Sequence, residues 1–399
     1  MFSGKSNPYC QKAFAKHLSS AFIVCSPFQL LCAIEAIHEF EIEDYKFVFC
    51  LNQGWKRNEQ MFSMAKQLNV DYDLIWNGDN ENEYFDWTKD VFRIQAQGKY
   101  GRVFIADYHG AYYHIIVPLY AKKGAVIAYL DDGNSSILFL KGIIKERKPS
   151  NWRKRLNWYR NKKNVVELYR QRRVVKALQD LEIYGAESFF TLYSDIRTRK
   201  FAIYPNKLAY ISSSYKKEDT RLSLILIVGA AVESYANAVK ISNELMESIV
   251  WKSLVELRNM HPDDKIIYIP HGRDTDHYIP RYCEMLNIKY EPIEETIETY
   301  ILASNMHPAA IYSYGSTALY NFHVLYPNAK IINWIVSVNS KYGIDEQRKA
   351  VNRYYEQSGI VNEVIWISPK NKTNYETIGS NIKSICQLIK AKTRRVFRI

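Results

Sequence analysis

Four short strings combine residues that can move a proton or hold a phosphate. Asp131-Asp132-Gly133 closes an apolar run at 125–130. Adjacent carboxylates repel, and burial of one raises its pKa toward that of a useful base. A glycine beside them permits a sharp turn and the close approach of a substrate. Asp and Gly also form ordinary turns, so the string reads equally as the end of a strand. Tyr268-Ile269-Pro270-His271-Gly272-Arg273 follows a second apolar run. An imidazole there can donate to a phosphate, with the Gly272 N–H beside it and Arg273 adding charge; a structural histidine is the plain alternative. Ser313-Tyr314-Gly315-Ser316-Thr317-Ala318-Leu319 sets a glycine and two hydroxyls ahead of a helix. Helix-start N–H groups and hydroxyls converge on an anion in that arrangement, and simple capping by Ser316 or Thr317 explains it as well. In Leu226-Ile227-Val228-Gly229-Ala230-Ala231, Gly229 would let a phosphate approach the backbone. The full GxGxxG spacing is missing, so a dinucleotide fingerprint is not supported and a tight turn is an equal reading.

Asp274-Thr275-Asp276-His277 contains a D-x-D, a metal–nucleotide signature in one glycosyltransferase fold. With His271 these residues include oxygen and nitrogen ligands. The string arises often by chance and lies late in the chain, so no metal site is expected. Six cysteines are scattered with no CxxC pair. That spacing favours reduced, buried thiols in a cytoplasmic protein over a zinc site.

The elements that must position these strings alternate short β-rich runs with helical stretches, which points to parallel sheets with crossover helices. Strands are expected at 21–25, 45–51, 71–76, 102–107, 125–131, 188–192 and 208–212. A second series is expected at 222–228, 265–270, 288–291, 309–314, 330–334 and 363–367. Helices are expected at 233–259 and 374–392, and a basic helical segment over 152–181. The polar stretch 213–220 marks a boundary, giving an N-terminal domain 19–215 and a C-terminal domain 216–399 after a leader at 1–18. Two such halves suggest two Rossmann-like lobes with a cleft between them. Open α/β sheets bind ligands at the carboxyl ends of their strands, where the four strings fall.

The chain has 399 residues and a net charge of +12. Its length suits two cores. Its apolar runs fall well short of the ~20 residues of a membrane span, and no secretory signal is read at the start. The charge is concentrated: 141–180 holds fourteen Lys/Arg against three acids, and Lys390, Lys392, Arg394, Arg395 and Arg398 close the chain. Such a patch can face nucleic acid, anionic lipid or an acidic substrate, or form a solvated helical face.

Taken in order, a D/E-D/E-G string, a strand ending at a Pro-His and a Ser/Thr pair before a helix resemble the motifs of bacterial sialyltransferases. Cys25-Ser26-Pro27-Phe28-Gln29-Leu30, directly after the first strand, looks like the start of glycosyltransferase family 52, which holds lipooligosaccharide and capsule sialyltransferases. The resemblance runs from about Ala21 to Phe322 in short islands. It departs at one place: the histidine motif reads His271-Gly272 instead of His-Pro, which bears on the donor sugar more than on CMP. A His307-Pro308 pair precedes a strand and reads as a turn.

The resemblance implies an α/β, GT-B type fold and an inverting, metal-independent transfer of sialic acid or a related nonulosonic acid from a CMP-sugar to a glycan or glycolipid acceptor. It implies no cofactor besides the donor. Asp132 is the implied base, with Asp131 in reserve, and His271 the partner of the departing phosphate. Gly229, Gly272, Arg273, Gly315, Ser316 and Thr317 are expected on the donor, and Glu294 on its ribose. Ser26, Pro27, Gln29 and His109 are expected on the acceptor. The basic segment, with Trp152, Trp158 and Tyr159 interleaved, then reads as a peripheral contact with the anionic inner membrane. That segment is long enough to exchange between subunits of a homodimer. The competing readings are a transferase using another nucleotide sugar, a metal-dependent hydrolase on His271 and Asp274, and a basic nucleic-acid-binding protein. The last is disfavoured because no recognised nucleic-acid module accompanies the charge.

Overall fold

The computed structural model describes residues 17–52, 57–77, 100–106, 116–117, 120–144, 188–198, 200–214, 224–272, 278–336 and 346–367. Two compact units emerge: Met1–Lys217 with Glu294–Asn305, and Glu218–Ile293 with Met306–Ile399.

The first unit is built on β1 (Ser20–Val24), β2 (Tyr45–Asn52), β3 (Tyr72–Asn77), β4 (Tyr100–Ile105), β5 (Ala121–Leu130), β6 (Ser188–Thr191) and β7 (Ala202–Pro205). Their order is β3-β2-β1-β4-β5-β6-β7, and every pairing is parallel. Buried parallel strands read as continuous apolar runs, and β1 is buried at all five positions. Phe22 stacks on Phe104 with centroids 4.5 Å apart. Pro205 closes β7 at the sheet's edge, where a missing N–H costs no ladder bond. Arg102 is a cation within this core: it donates from Nε to Ser20 Oγ at 2.9 Å, and burial lowers its pKa to about 10.

Among the described residues up to Ser214, the helices of this unit are α1 (Pro27–Glu39), α2 (Arg57–Gln67), α3 (Asn134–Leu140) and α4 (Ala209–Ser214). The last corrects the strand expected at 208–212. The buried Glu35 carboxylate accepts from the backbone N–H groups of Tyr210 and Ile211 at 3.1 and 2.8 Å. That long-range cap satisfies the first turn of a helix whose apolar run resembles a strand.

The second unit holds β8 (Leu224–Val228), β9 (Lys265–Ile269), β10 (Lys289–Tyr290), β11 (Pro308–Ser313), β12 (Lys330–Val336) and β13 (Glu363–Ile367). Their order is β10-β9-β8-β11-β12-β13, again all parallel. Relabelled from its first strand, this is 3-2-1-4-5-6, and the first six strands of the other sheet follow the same order. Both sheets are doubly wound, with a switch of direction between β1 and β4 and between β8 and β11.

Helices α5 (Val232–Val239), α6 (Asn243–Met260), α7 (Tyr278–Met285), α9 (Ala318–Leu325) and α10 (Glu346–Gln357) lie within the second unit's stretch of chain. Helix α8 (Ile297–Ala303) lies between β10 and β11 in sequence and groups with the first unit. The single helix expected at 233–259 is two. Lys240 takes a left-handed φ of 57° and ends α5, and Ser242 caps α6 by accepting from the Leu245 N–H. No helix of the described residues is long and apolar enough to cross a membrane.

Candidate active site

In the first unit, Ile23 of β1, Ile105 of β4 and Tyr129 of β5 form one row across the sheet. Ser26 and Asp132 each lie three residues past that row, so two strings far apart in sequence come out at the same edge. Ser26 caps α1, its hydroxyl accepting from the Gln29 N–H at 3.3 Å, and Pro27 fills the first turn, where its missing N–H costs nothing. Gln29 is 1% exposed. Its Oε1 accepts from the Cys25 N–H at 2.7 Å, and its Nε2 donates to Asp132 Oδ1 at 2.7 Å. The backbone donor fixes which end of the carboxamide is oxygen.

Asp132 is partly exposed. Its N–H donates to Ser136 Oγ at 2.9 Å, and Gly133 next to it turns the chain with φ 60° and ψ −137°, a conformation open essentially to glycine alone. Asp131 points the other way. It is fully buried and accepts from Thr191 Oγ1 and the Leu192 N–H, each at 2.6 Å. Burial raises its pKa to about 7, against the opposing effect of these hydrogen bonds. The paired acids are thus divided: one ties β5 to β6, and the other reaches the strand-end edge. The pKa of the Cys32 thiol on α1 is pushed well up, first by burial and then by the charges of Asp131, Glu35, Glu298 and Asp132.

In the second unit, Ile269 of β9, Val228 of β8, Ser313 of β11 and Asn333 of β12 share a single row across four neighbouring strands. Gly229 stands one residue past this row, and His271 and Gly315 two. The three strings therefore emerge together at the switch point, where a doubly wound sheet takes its ligand. The Gly229 N–H donates to Ile269 O at 2.8 Å, and Ser313 Oγ donates to Val228 O at 2.7 Å. A Cβ on Gly229 would lie 2.9 Å from His271 N and from Ile269 O. The glycine is thus required by the backbone of the histidine loop.

His271 is partly exposed and Gly272 exposed. The Gly315 N–H donates to Asn333 Oδ1 at 2.9 Å, and Asn333 is fully buried with no partner on Nδ2 among the described residues. Ser316 Oγ accepts from the Ala318 N–H at 3.3 Å, and Thr317 opens α9 without a side-chain cap bond. Both hydroxyl residues are partly exposed. Glu294 is exposed and opens the segment that groups with the first unit.

His109, Arg273, Asp274–His277, the basic segment beyond 144 and the terminal basic cluster lie outside the described residues. Among the described residues, no three His, Cys, Asp or Glu side chains are grouped so as to hold a metal ion. Ser313 heads the third sequence string with no role read for it there, and Asn333 falls in none of the strings. Both are polar residues inside apolar strands, and that anomaly was the available signal.

No protein-family profile matches the sequence, and no curated protein matches it. The chain is similar to several solved structures. An α/β-galactoside α-2,3-sialyltransferase from Photobacterium phosphoreum is 11% identical, with 87% of this chain and 97% of that one covered and a TM-score of 0.48. A 2,6-sialyltransferase from Photobacterium sp. JT-ISH-224, in complex with CMP and lactose, is 12% identical, with 87% and 78% covered and a TM-score of 0.46. MurG from Acinetobacter baumannii is 9% identical, with 92% and 90% covered and a TM-score of 0.42.

Proposed function

We propose that this chain is a glycosyltransferase that moves a nonulosonic sugar from a CMP donor to a hydroxyl of a surface glycan, with inversion and without a metal. The observation that carries the reading is the single row Ile269–Val228–Ser313–Asn333, which brings His271, Gly229 and the Gly315-Ser316-Thr317 turn out at one sheet edge. An imidazole, two hydroxyls and a helix start are together suited to the single phosphate of a CMP-sugar and of the CMP it releases.

The chemistry follows from those groups. In the transfer, the Asp132 carboxylate takes the proton of the acceptor hydroxyl. The freed oxygen bonds to the anomeric carbon from the face opposite the nucleotide. The bond between that carbon and the phosphate oxygen breaks, and its electron pair leaves on CMP. His271 donates a hydrogen bond or a proton to that oxygen. Ser316, Thr317 and the N–H groups opening α9 meet the remaining phosphate charge. A donor with one phosphate lacks the diphosphate that usually calls for Mg²⁺. Each acid–base contribution of this kind is worth about 10²–10⁴-fold in rate.

Acceptor precursors at an anionic leaflet would explain the +11 net charge of residues 141–180, each cation contributing about 1 kcal/mol near such a surface. Peripheral membrane association is therefore part of the proposal, and failure of the protein to pellet with anionic liposomes at low salt removes it.

A thermal-shift series tests the donor. CMP should raise Tm above the shifts given by UMP, UDP and ADP, and CMP-N-acetylneuraminic acid should be hydrolysed where UDP-hexoses are not. Preferential stabilisation by UDP would replace the CMP reading with another nucleotide sugar.

A further inference from the structure

We infer that Gln29 is a positioning residue for the base, acting through Asp132 instead of touching the acceptor. The inference rests on the proposed role of Asp132. Gln29 is 1% exposed, so little of it is left for a ligand to reach. Both its ends are committed. Oε1 is held by the Cys25 N–H at the point where β1 gives way to α1, and Nε2 reaches across 103 residues of chain to Asp132 Oδ1.

Two consequences follow from elementary chemistry. First, the amide fixes the orientation of the carboxylate. Asp132 sits on a short turn, and its Oδ1 is anchored to the start of a thirteen-residue helix. Second, an N–H on a carboxylate favours the charged form, which is the form a base needs. The Cys32 thiol on α1 feels the charges of Asp131 on the same turn as Asp132, of Glu35 on α1, of Glu298 on α8 and of Asp132 itself. Ser26 and Pro27 serve to place the carboxylate too, since they start α1 at the residue that aims Gln29.

Gln29→Glu is the discriminating variant. It keeps an oxygen for the Cys25 N–H and replaces the donor facing Asp132 with a like charge. The full-length protein would be labelled with carboxyl-¹³C aspartate, and the Asp132 signal assigned by its loss in Asp132→Asn. Hydrolysis of CMP-N-acetylneuraminic acid, with water as the acceptor, would be followed against pH in the same proteins. The titration midpoint of Asp132 and the acidic limb of kcat/KM should both move up by about one pH unit or more in Gln29→Glu, with KM for the donor nearly unchanged. Should that variant not fold, Gln29→Met removes the same N–H without adding charge, and a smaller upward movement is expected. An unmoved midpoint in whichever variant folds overturns the inference. Full hydrolysis by Asp132→Asn overturns instead the proposed base, whatever Gln29 does to the midpoint.

Discussion

Gly229 and His271 are in backbone contact: a methyl group on Gly229 would stand 2.9 Å from the His271 amide nitrogen and 3.0 Å from Pro270 Cα. These are main-chain atoms, so they cannot swing aside as the end of a side chain can. Gly229→Ala is expected to cost about 1–3 kcal/mol of stability, as overpacking does. It should also displace the histidine loop. The check is a urea titration together with the CMP-induced thermal shift, which should shrink beyond what lost stability explains.

The two acids of the Asp131-Asp132 pair are expected to separate on mutation. Asp132→Asn can still accept from Gln29 Nε2, so Tm should hold while turnover falls by about 10²–10⁴-fold. Asp131→Ala strands the Thr191 hydroxyl and the Leu192 N–H in a dry interior, at a cost of about 1–3 kcal/mol. Paired melting curves and rates for the two variants separate these outcomes.

Asp131 also predicts a pH dependence of stability. Its pKa rises from 3.8 to about 7 on folding. Between those values the unfolded chain has released the proton and the folded chain still binds it. Stability from this group is therefore complete below about pH 3.8, falls as pH rises, and levels off above about 7. Asp131→Asn is neutral throughout. Its amide can face the Thr191 oxygen while its carbonyl keeps the Leu192 N–H, so it should fold and lack this slope. Denaturant midpoints at pH 5 and 7.5 for wild type and variant measure the difference.

Gly272, which stands where the resembled motif has proline, carries no comparable constraint. A methyl there meets no heavy atom within 4 Å among the described residues. Gly272→Ala should therefore change stability by less than about 0.5 kcal/mol, the range of a surface substitution. A large loss in a melting experiment would mean that the loop needs glycine for another reason.

Asn333 should matter to the phosphate turn. Asn333→Leu removes the acceptor of the Gly315 N–H and is expected to reduce the CMP-induced shift more than it lowers the unliganded Tm. Equal loss in both would assign Asn333 to packing alone.

Local pattern is enough to read the alternation of strand and helix, because a parallel strand buried on both faces must be a run of apolar residues and such runs are local. It also shows which strings follow strands, and so which residues stand at carboxyl ends. What those residues do to one another follows from long-range packing. Gln29 is spelled like any surface glutamine, and its bond to Asp132 exists because β1 and β5 flank β4 in one sheet. The requirement for Gly229 depends on β8 and β9 being neighbours. The apolar run at 208–212 became a helix because a glutamate from α1 caps it. Residues 294–305 left the unit that surrounds them in sequence. Each of these turns on strand order and long-range contact, which no local pattern of residues encodes.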